Sequence, residues 1–405
     1  MEFIIERKIL LKDVEEHFYR LRNWEKSEAP IDLVLPTELD NNYFGLVAAL
    51  IQLGITWTRS INSRFLYINP PSTNGIDDWN KLYDNELIFP LVSLVWNSHE
   101  IRRIGTEENL RSQLQPIQNK MFARMRSIET LNERLRGHKL LLTQLDHFSN
   151  SKGILPCFER DGKFLLDWKE LKKNLHKGLE RVLAYSHETK QNFEPIHEDT
   201  VIILYELMKN TWEWARENSD GVALDPNIRG MLVRYFTKKR ETLLNDFYGH
   251  EGLTEYFSSK TLKENSEGNI YFLEISVFDS GIGLVDRYRE SLPESKSFSP
   301  VQVVKECLTK HNTTADGLGK KDKGRGLDRI LATLDRKGFL RIRTGEVCVY
   351  RNMISDPYQF IEKGNADRIQ LFDWAKESNT EFECHVRTEG SVITIIYPLS
   401  TSHHE

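Results

Sequence analysis

Hydrophobic positions along the chain follow two rhythms, and each predicts its own kind of element. From Val201 to Ala215 the apolar residues Ile203, Leu204, Leu207 and Met208 recur three and four apart. That spacing predicts an amphipathic helix whose polar face carries Glu206, Asn210 and Glu213. Leu273, Ile275 and Val277 instead alternate with Glu274 and Ser276, predicting a strand with one buried face that runs into Asp279 and two glycines, Gly281 and Gly283. In the N-terminal half, Ile31 to Leu35 and Phe65 to Ile68 read as strands on either side of a helix from Tyr43 to Leu53, a βαβ pattern. After Pro116, the residues Met121, Met125, Ile128, Leu131, Leu135, Leu142 and Leu145 recur at three- and four-residue steps, predicting one long amphipathic helix bent near Gly137. A second helix is predicted from about Trp168 to Ser186; the pair reads as a connector, a dimerising hairpin or a packed core stripe.

Three stretches carry candidate chemistry. Glu206 and Asn210 lie four apart, so on a helix they share one face, with Glu213 a turn further on. An amide oxygen is a hard, neutral ligand suited to Mg²⁺, and a carboxylate one turn away can orient or deprotonate a water. The plain alternative is a solvated helix face. Asp279-Ser-Gly281-Ile-Gly283 delivers a carboxylate to a loop where glycines let a flat ring approach, and a fixed carboxylate accepts from an exocyclic amine such as adenine N6. An ordinary turn leaving a strand would look the same. Gly324-Arg325-Gly326-Leu327, preceded by Lys320, Lys321 and Lys323, leads into a helical pattern of Leu327, Ile330, Leu331 and Leu334. Such a junction offers amide N–H groups and a helix dipole to phosphates, although a flexible solvated loop has the same composition. It is not a Walker loop, because no Gly-Lys-Ser/Thr comes after a strand.

The order of these stretches, helix with ELxxNxxE, strand with DxGxG and loop with GxGL, resembles the GHKL ATPases: DNA gyrase B, Hsp90, histidine kinases and MutL. The segment after Leu327 is also similar: a helix to about Lys337, a hairpin from Phe339 through Thr344-Gly345 to Tyr350, and a last strand from Gly390 to Leu399. The resemblance covers roughly Pro195 to Ser400 and implies a Bergerat-type α/β sandwich with a mixed sheet, binding ATP and Mg²⁺. It makes Asn210 the Mg²⁺ ligand, Asp279 the adenine reader, Gly281 and Gly283 the ring-edge loop, and Glu206 the hydrolytic base. Gly324 and Gly326 would supply the phosphate-side amides, Glu213, Lys323, Arg325 and Leu327 would complete the nucleotide site, and Ser391 would lie near Asp279. Departures from the family are a longer stretch over residues 216–270, including Lys238-Lys239-Arg240 and a helix-like piece from Glu241 to Phe257, and a sizeable lid with a helix from Pro300 to Lys310. The implied activity is ATP hydrolysis driving a conformational switch on a protein partner or a homodimer. A histidine-kinase-like or serine protein kinase and a non-hydrolysing ATP sensor remain alternatives. His138 and His147 invite a phosphoacceptor reading, but neither is followed by an acceptor-box pattern.

The implied organisation is a small α/β domain over residues 1–105, weakly similar to bacterial STAS modules, a helical connector over 106–190 and the ATP-binding domain over 191–405. Composition changes little in this picture. At 405 residues with 39% apolar and 10% aromatic residues, the chain can build sizeable cores. A formal charge of −5 gives no global attraction for nucleic acid or an anionic membrane, leaving only local basic patches for phosphates. Cys157, Cys307, Cys348 and Cys384 form no CxxC pair and read as reduced, buried thiols. No apolar run reaches membrane-spanning length and the charged start lacks a signal core, so a cytoplasmic protein is expected.

Overall fold

The computed structural model describes residues 1–71, 76–126, 139–183, 193–309, 326–362 and 364–399. Two sheets organise the chain. Strands β1 (Glu2–Ile4), β2 (Ile31–Val34), β3 (Ser63–Ile68) and β4 (Glu100–Arg103) form a parallel sheet in the order 1-2-3-4. Parallel neighbours require crossovers. They are supplied by α1 (Val14–Glu25), α2 (Leu46–Thr58), and α3 and α4 (Ile76–Tyr83, Ile88–Leu94), so the predicted βαβ unit is present with its helix three residues later than expected at the start.

After α5 (Arg111–Met125), the second sheet takes up β5 (Lys139–Leu145), β8 (Ile228–Lys239), β9 (Asn269–Asp279), β10 (Phe339–Gly345), β11 (Val347–Asn352), β12 (Phe372–Asp373) and β13 (Thr388–Leu399). Its order is 12-11-10-13-9-8-5, and every neighbouring pair is antiparallel. The expected mixed sheet is thus replaced by one parallel and one antiparallel sheet. The short hairpin β6–β7 (Glu159–Arg160, Lys163–Phe164) leads into α6 (Trp168–Leu183) and α7 (Phe193–Trp214). Further along the chain come the helices α8 (Arg240–Asp246), α9 (Glu251–Ser258), α10 (Leu284–Ser291), α11 (Pro300–Cys307) and α12 (Gly326–Thr333).

Three expectations fail for tertiary reasons. Leu142 and Leu145 belong to strand β5, fully buried beside β8, and not to a long helix; the run Leu140-Leu-Leu142 has no period that distinguishes the two states. Residues Ile128, Leu131, Leu135 and Gly137 of that reading lie outside the described residues. The extra stretch over 216–270 contains β8, a core strand hydrogen-bonded along its length to β9, with Lys238-Lys239-Arg240 at the joint to α8. Finally, β9 is buried on both faces, since Glu274 and Ser276 are as inaccessible as Ile275.

The second face of β9 is covered by α2, whose residues from Leu46 to Trp57 are all buried between the sheets. Polar groups here bond across the layers, although one oxygen each of Gln52 and Glu274 stays without a partner. Gln52 Nε2 donates to the carbonyls of Arg343 and Glu389 at 3.3 Å each, the Ser276 and Thr394 hydroxyls meet at 3.1 Å, and the Glu274 carboxylate accepts main-chain N–H groups of Phe44 and Gly45 at the start of α2. Gly45 makes this contact possible. It has φ +86°, and a Cβ there would lie 2.4 Å from Thr394 Oγ1. Gly45→Ala should therefore destabilise the chain by about 2 kcal/mol or more through overpacking and backbone strain, read as a lower urea midpoint. At the same interface Glu15 of α1 pairs with Arg341 at 3.1 Å and Arg343 at 3.0 Å on β10. One buried apolar cluster runs through both sheets. Among the described residues no helix is long and apolar enough to cross a membrane.

Candidate functional site

Alternation along β9 sends odd-numbered side chains to the face opposite α2, so Asp279 shares a side with Val277 and Ile275. Against that side lies α7. Between them opens a recess lined by Glu206, Asn210 and Glu213 of α7, Val277 and Asp279 of β9, Ser391 and Ile393 of β13, Gly283 and Leu284 at the start of α10, and Gly326 and Leu327 at the start of α12. Eight of the twelve sequence-predicted site residues thus line one recess: Glu206, Asn210, Glu213, Asp279, Gly283, Gly326, Leu327 and Ser391. Gly281 sits just behind it and donates its N–H to Asp279 Oδ1 at 2.9 Å. Lys323, Gly324 and Arg325 lie outside the described residues, as do Lys320, Lys321 and His138. His147 holds a structural position, its ring nitrogens 2.9 and 3.1 Å from the carbonyl oxygens of Asn227 and Ser93.

Asp279 forms the floor. It is flanked in the sheet by Ser391 on β13 and Arg229 on β8, and is only 9% exposed. Burial pushes its carboxyl up to about 6, while main-chain N–H bonds from Gly281 and Ser391 and the Arg229 charge pull the other way. The Ser391 hydroxyl turns to Thr344 Oγ1 at 3.0 Å, which in turn accepts the Leu284 N–H at 2.8 Å. This ties the β13 start, the β10 end and the α10 start around the floor.

Behind the floor is a buried ionic cluster that the sequence did not reveal. Arg229 grips Asp146 with Nε at 2.7 Å and Nη2 at 2.6 Å, and reaches Glu159 with Nη1 at 2.9 Å. Gln144 donates to the same Glu159 at 2.6 Å, and Asn227 Nδ2 bonds Asp146 and the Ala215 carbonyl, each at 3.0 Å. Asn227 also accepts the Ser280 hydroxyl, fixing the residue next to Asp279. Removing Arg229 leaves the buried Glu159 and the half-buried Asp146 without their partner, so Arg229→Ala should cost about 3–5 kcal/mol in denaturant unfolding. Arg229→Met, with both Asp146→Asn and Glu159→Gln, should restore much of that loss.

At the mouth, Glu206 is mostly withdrawn from water, its side chain 12% exposed. Burial raises its pKa from the ordinary value, opposed by Lys209 and by Arg329, whose Nη1 lies 3.5 Å from the carboxylate. Gly326 packs against Glu206: a Cβ there would meet Glu206 Oε2 at 2.9 Å, so a larger residue would push the carboxylate aside. Among the described residues no group of three or more His, Cys, Asp or Glu side chains could hold a metal alone. Asn210 faces the recess with no described hydrogen-bond partner for its amide, so its oxygen fits a Mg²⁺ that takes its other ligands from water and a phosphate.

Trp214, Arg287, Tyr288 and Cys307 also line the recess and were not singled out by sequence. Trp214 lies one turn beyond Asn210 on the predicted face of α7, a signal that was available. Arg287 binds the Trp214 carbonyl through Nε at 3.2 Å, fastening α10 to the end of α7. Burial pushes the Cys307 thiol up to about 12, which makes it an apolar wall and no nucleophile. All the cysteines are free; Cys157 and Cys348 are buried as expected, whereas Cys307 is half-buried and Cys384 exposed, contrary to expectation. Comparison of the chain with protein-family models, curated proteins and solved structures found no match.

Proposed function

We propose that the chain is a Mg²⁺-dependent ATPase that binds ATP in this recess, as its resemblance to GHKL ATPases implies. The observation that carries the reading is convergence: the ELxxNxxE helix, the Asp279 strand end, Gly326-Leu327 and Ser391 are far apart in sequence and line one recess. In this reading Asp279 accepts a hydrogen bond from the adenine amine, with Val277 and Ile393 against the ring. The enclosed space is about 120 Å³. That is below the roughly 300 Å³ of a site that buries a whole drug-sized ligand, so it suits a flat ring, with the phosphates running out past Asn210 toward α12. Mg²⁺ would be held by Asn210 and supply charge neutralisation for the phosphates. Glu206 would position and deprotonate a water, and Arg329 is the cation on α12 that a terminal phosphate could draw from it. Movement of α12 against α7 would then carry nucleotide state to a partner or a second copy.

Isothermal titration calorimetry of the full chain with ATP and Mg²⁺, followed by phosphate release, tests this. Asn210→Ala should weaken binding about tenfold in Mg²⁺, the loss of one ligand interaction of about 1.4 kcal/mol, and leave binding in EDTA unchanged. Absence of heat with ATP for the wild-type chain would overturn the proposal. Transfer of labelled phosphate to protein without phosphate release would replace hydrolysis by kinase chemistry, and saturable binding with neither would leave a sensor.

A further inference from the structure

Residues of the N-terminal layer grip the main chain behind the recess. Over its buried residues Leu46 to Trp57, helix α2 is apolar apart from Gln52, Thr56 and the Trp57 indole. Gln52 and Thr56 are four apart, so they share one face, and both reach the same short segment at the start of β13. Gln52 Nε2 lies 3.2 Å from Thr388 Oγ1 and 3.3 and 3.4 Å from the carbonyl oxygens of Glu389 and Gly390, and Thr56 Oγ1 accepts the Glu389 N–H at 3.1 Å. From α1, Arg22 donates twice to the Arg387 carbonyl, at 3.1 and 3.0 Å. Arg59, just after α2, donates to the Pro226 carbonyl at 2.6 Å.

The two held segments flank the floor. On one side the Gly390 N–H bonds the Gly281 carbonyl at 2.8 Å and the Ser391 N–H bonds Asp279. On the other, Ile228, two residues after Pro226, exchanges hydrogen bonds with Ser280, each 2.9 Å long. The first junction has no slack: Gly390 has φ +68°, and a Cβ there would lie 1.8 Å from the Asp279 carbonyl oxygen. A shift of residues 388–390 therefore passes directly to Asp279 and Gly281. Burying an amide with its oxygen unpartnered costs stability that an apolar side chain of the same size would not. What Gln52 supplies in return is a fixed position for the strand start.

We propose that the N-terminal layer regulates base recognition through α2, with Gln52 and Thr56 as positioning residues that hold Asp279 and Gly281 in the geometry that accepts the purine. The inference rests on the reading of the recess as an ATP site. Neither residue lines the recess, so both act through the 388–390 main chain. Such a coupling is reciprocal: purine binding tightens the α2 contact, and a displacement of α2 within the N-terminal layer changes purine affinity.

The test is calorimetry of the full chain in Mg²⁺ with ATP and with inosine triphosphate, which carries an oxygen where adenine carries its amine. Wild type should prefer ATP. Gln52→Met combined with Thr56→Val removes the hydrogen bonds at nearly constant volume. In that variant the ratio of ATP to inosine triphosphate affinity should fall at least about fivefold, the low end of couplings between sites, with the inosine triphosphate affinity unchanged. Arg22→Ala, at a side chain 30% exposed, should move the ratio in the same direction and decides the matter if the double variant does not fold. A purely structural role would lower the melting temperature and both affinities together. An unchanged ratio in the folded variants overturns the proposal and leaves the ATP reading intact. Wild type that takes up no ATP overturns that reading and this inference with it, and wild type that takes both triphosphates equally overturns Asp279 as base reader and this inference with it.

Discussion

Asp279→Asn should lose ATP affinity by about 10- to 150-fold, the equivalent of one hydrogen bond to a charged acceptor worth about 1.5–3 kcal/mol. The amide can still accept the Gly281 N–H, so the loop keeps its anchor, but it no longer presents a full negative charge to the purine amine. Ligand binding and stability should move in opposite directions. The folded carboxyl titrates near 6 against an ordinary value of 3.8. A carboxyl raised in this way adds stability fully below the unfolded value, and that stability is lost as pH rises through about 6. At pH 7 the buried charge therefore costs about 3 kcal/mol. The ligand-free Asn variant should consequently be more stable than wild type at pH 7, and its unfolding midpoint should no longer fall between pH 4 and 6. Wild-type ATP affinity should drop as pH falls through about 6, when the acceptor is protonated, and the variant should show no such drop. Calorimetry at pH 5 and 7.5 on both proteins checks each limb; unchanged affinity in the variant would sink the assignment of Asp279 as the base reader.

Glu206→Gln should lower the hydrolysis rate by about 10²- to 10⁴-fold, the usual contribution of a positioned general base, while ATP affinity changes by no more than about threefold. The side chain sits where a base is useful: mostly withdrawn from water, with burial raising its pKa and Arg329 holding its orientation. Because that raised pKa must be exceeded for the carboxylate to act, the wild-type rate should rise with pH through an acidic limb that the variant lacks. Phosphate release measured in single turnover separates chemistry from product release. A variant that hydrolyses at the wild-type rate would move the base elsewhere on the recess wall, with Glu213 the first alternative since it lines the same wall.

Much of the site was legible because its parts are local. Glu206, Asn210 and Glu213 share a face by the geometry of any α-helix, and Asp279 falls at a strand end because the alternation stops at glycines; α7 and β9 obey both patterns. Ser391 was placed beside Asp279 only through the family resemblance, and it is Asp279's ladder partner. Other features left no local trace. Glu274 and Ser276 read as a polar face, yet α2, more than 200 residues earlier in sequence, buries them. Leu142 continued a helical rhythm and became part of a strand because β8 offers it a ladder.

The sequence by itself determined the helix face, the strand end and the glycine junction, since spacing and backbone sterics act within a few residues. Only the tertiary structure decided that the N-terminal βαβ layer caps the back of the antiparallel sheet, that Arg229 meets Asp146 across 83 residues to brace the floor beneath Asp279, and that Gln52 and Thr56 meet residues 388–390 behind that floor. Such contacts form when packing and strand pairing close long loops, and the hydrophobic period of a segment specifies that it must be covered but not by what.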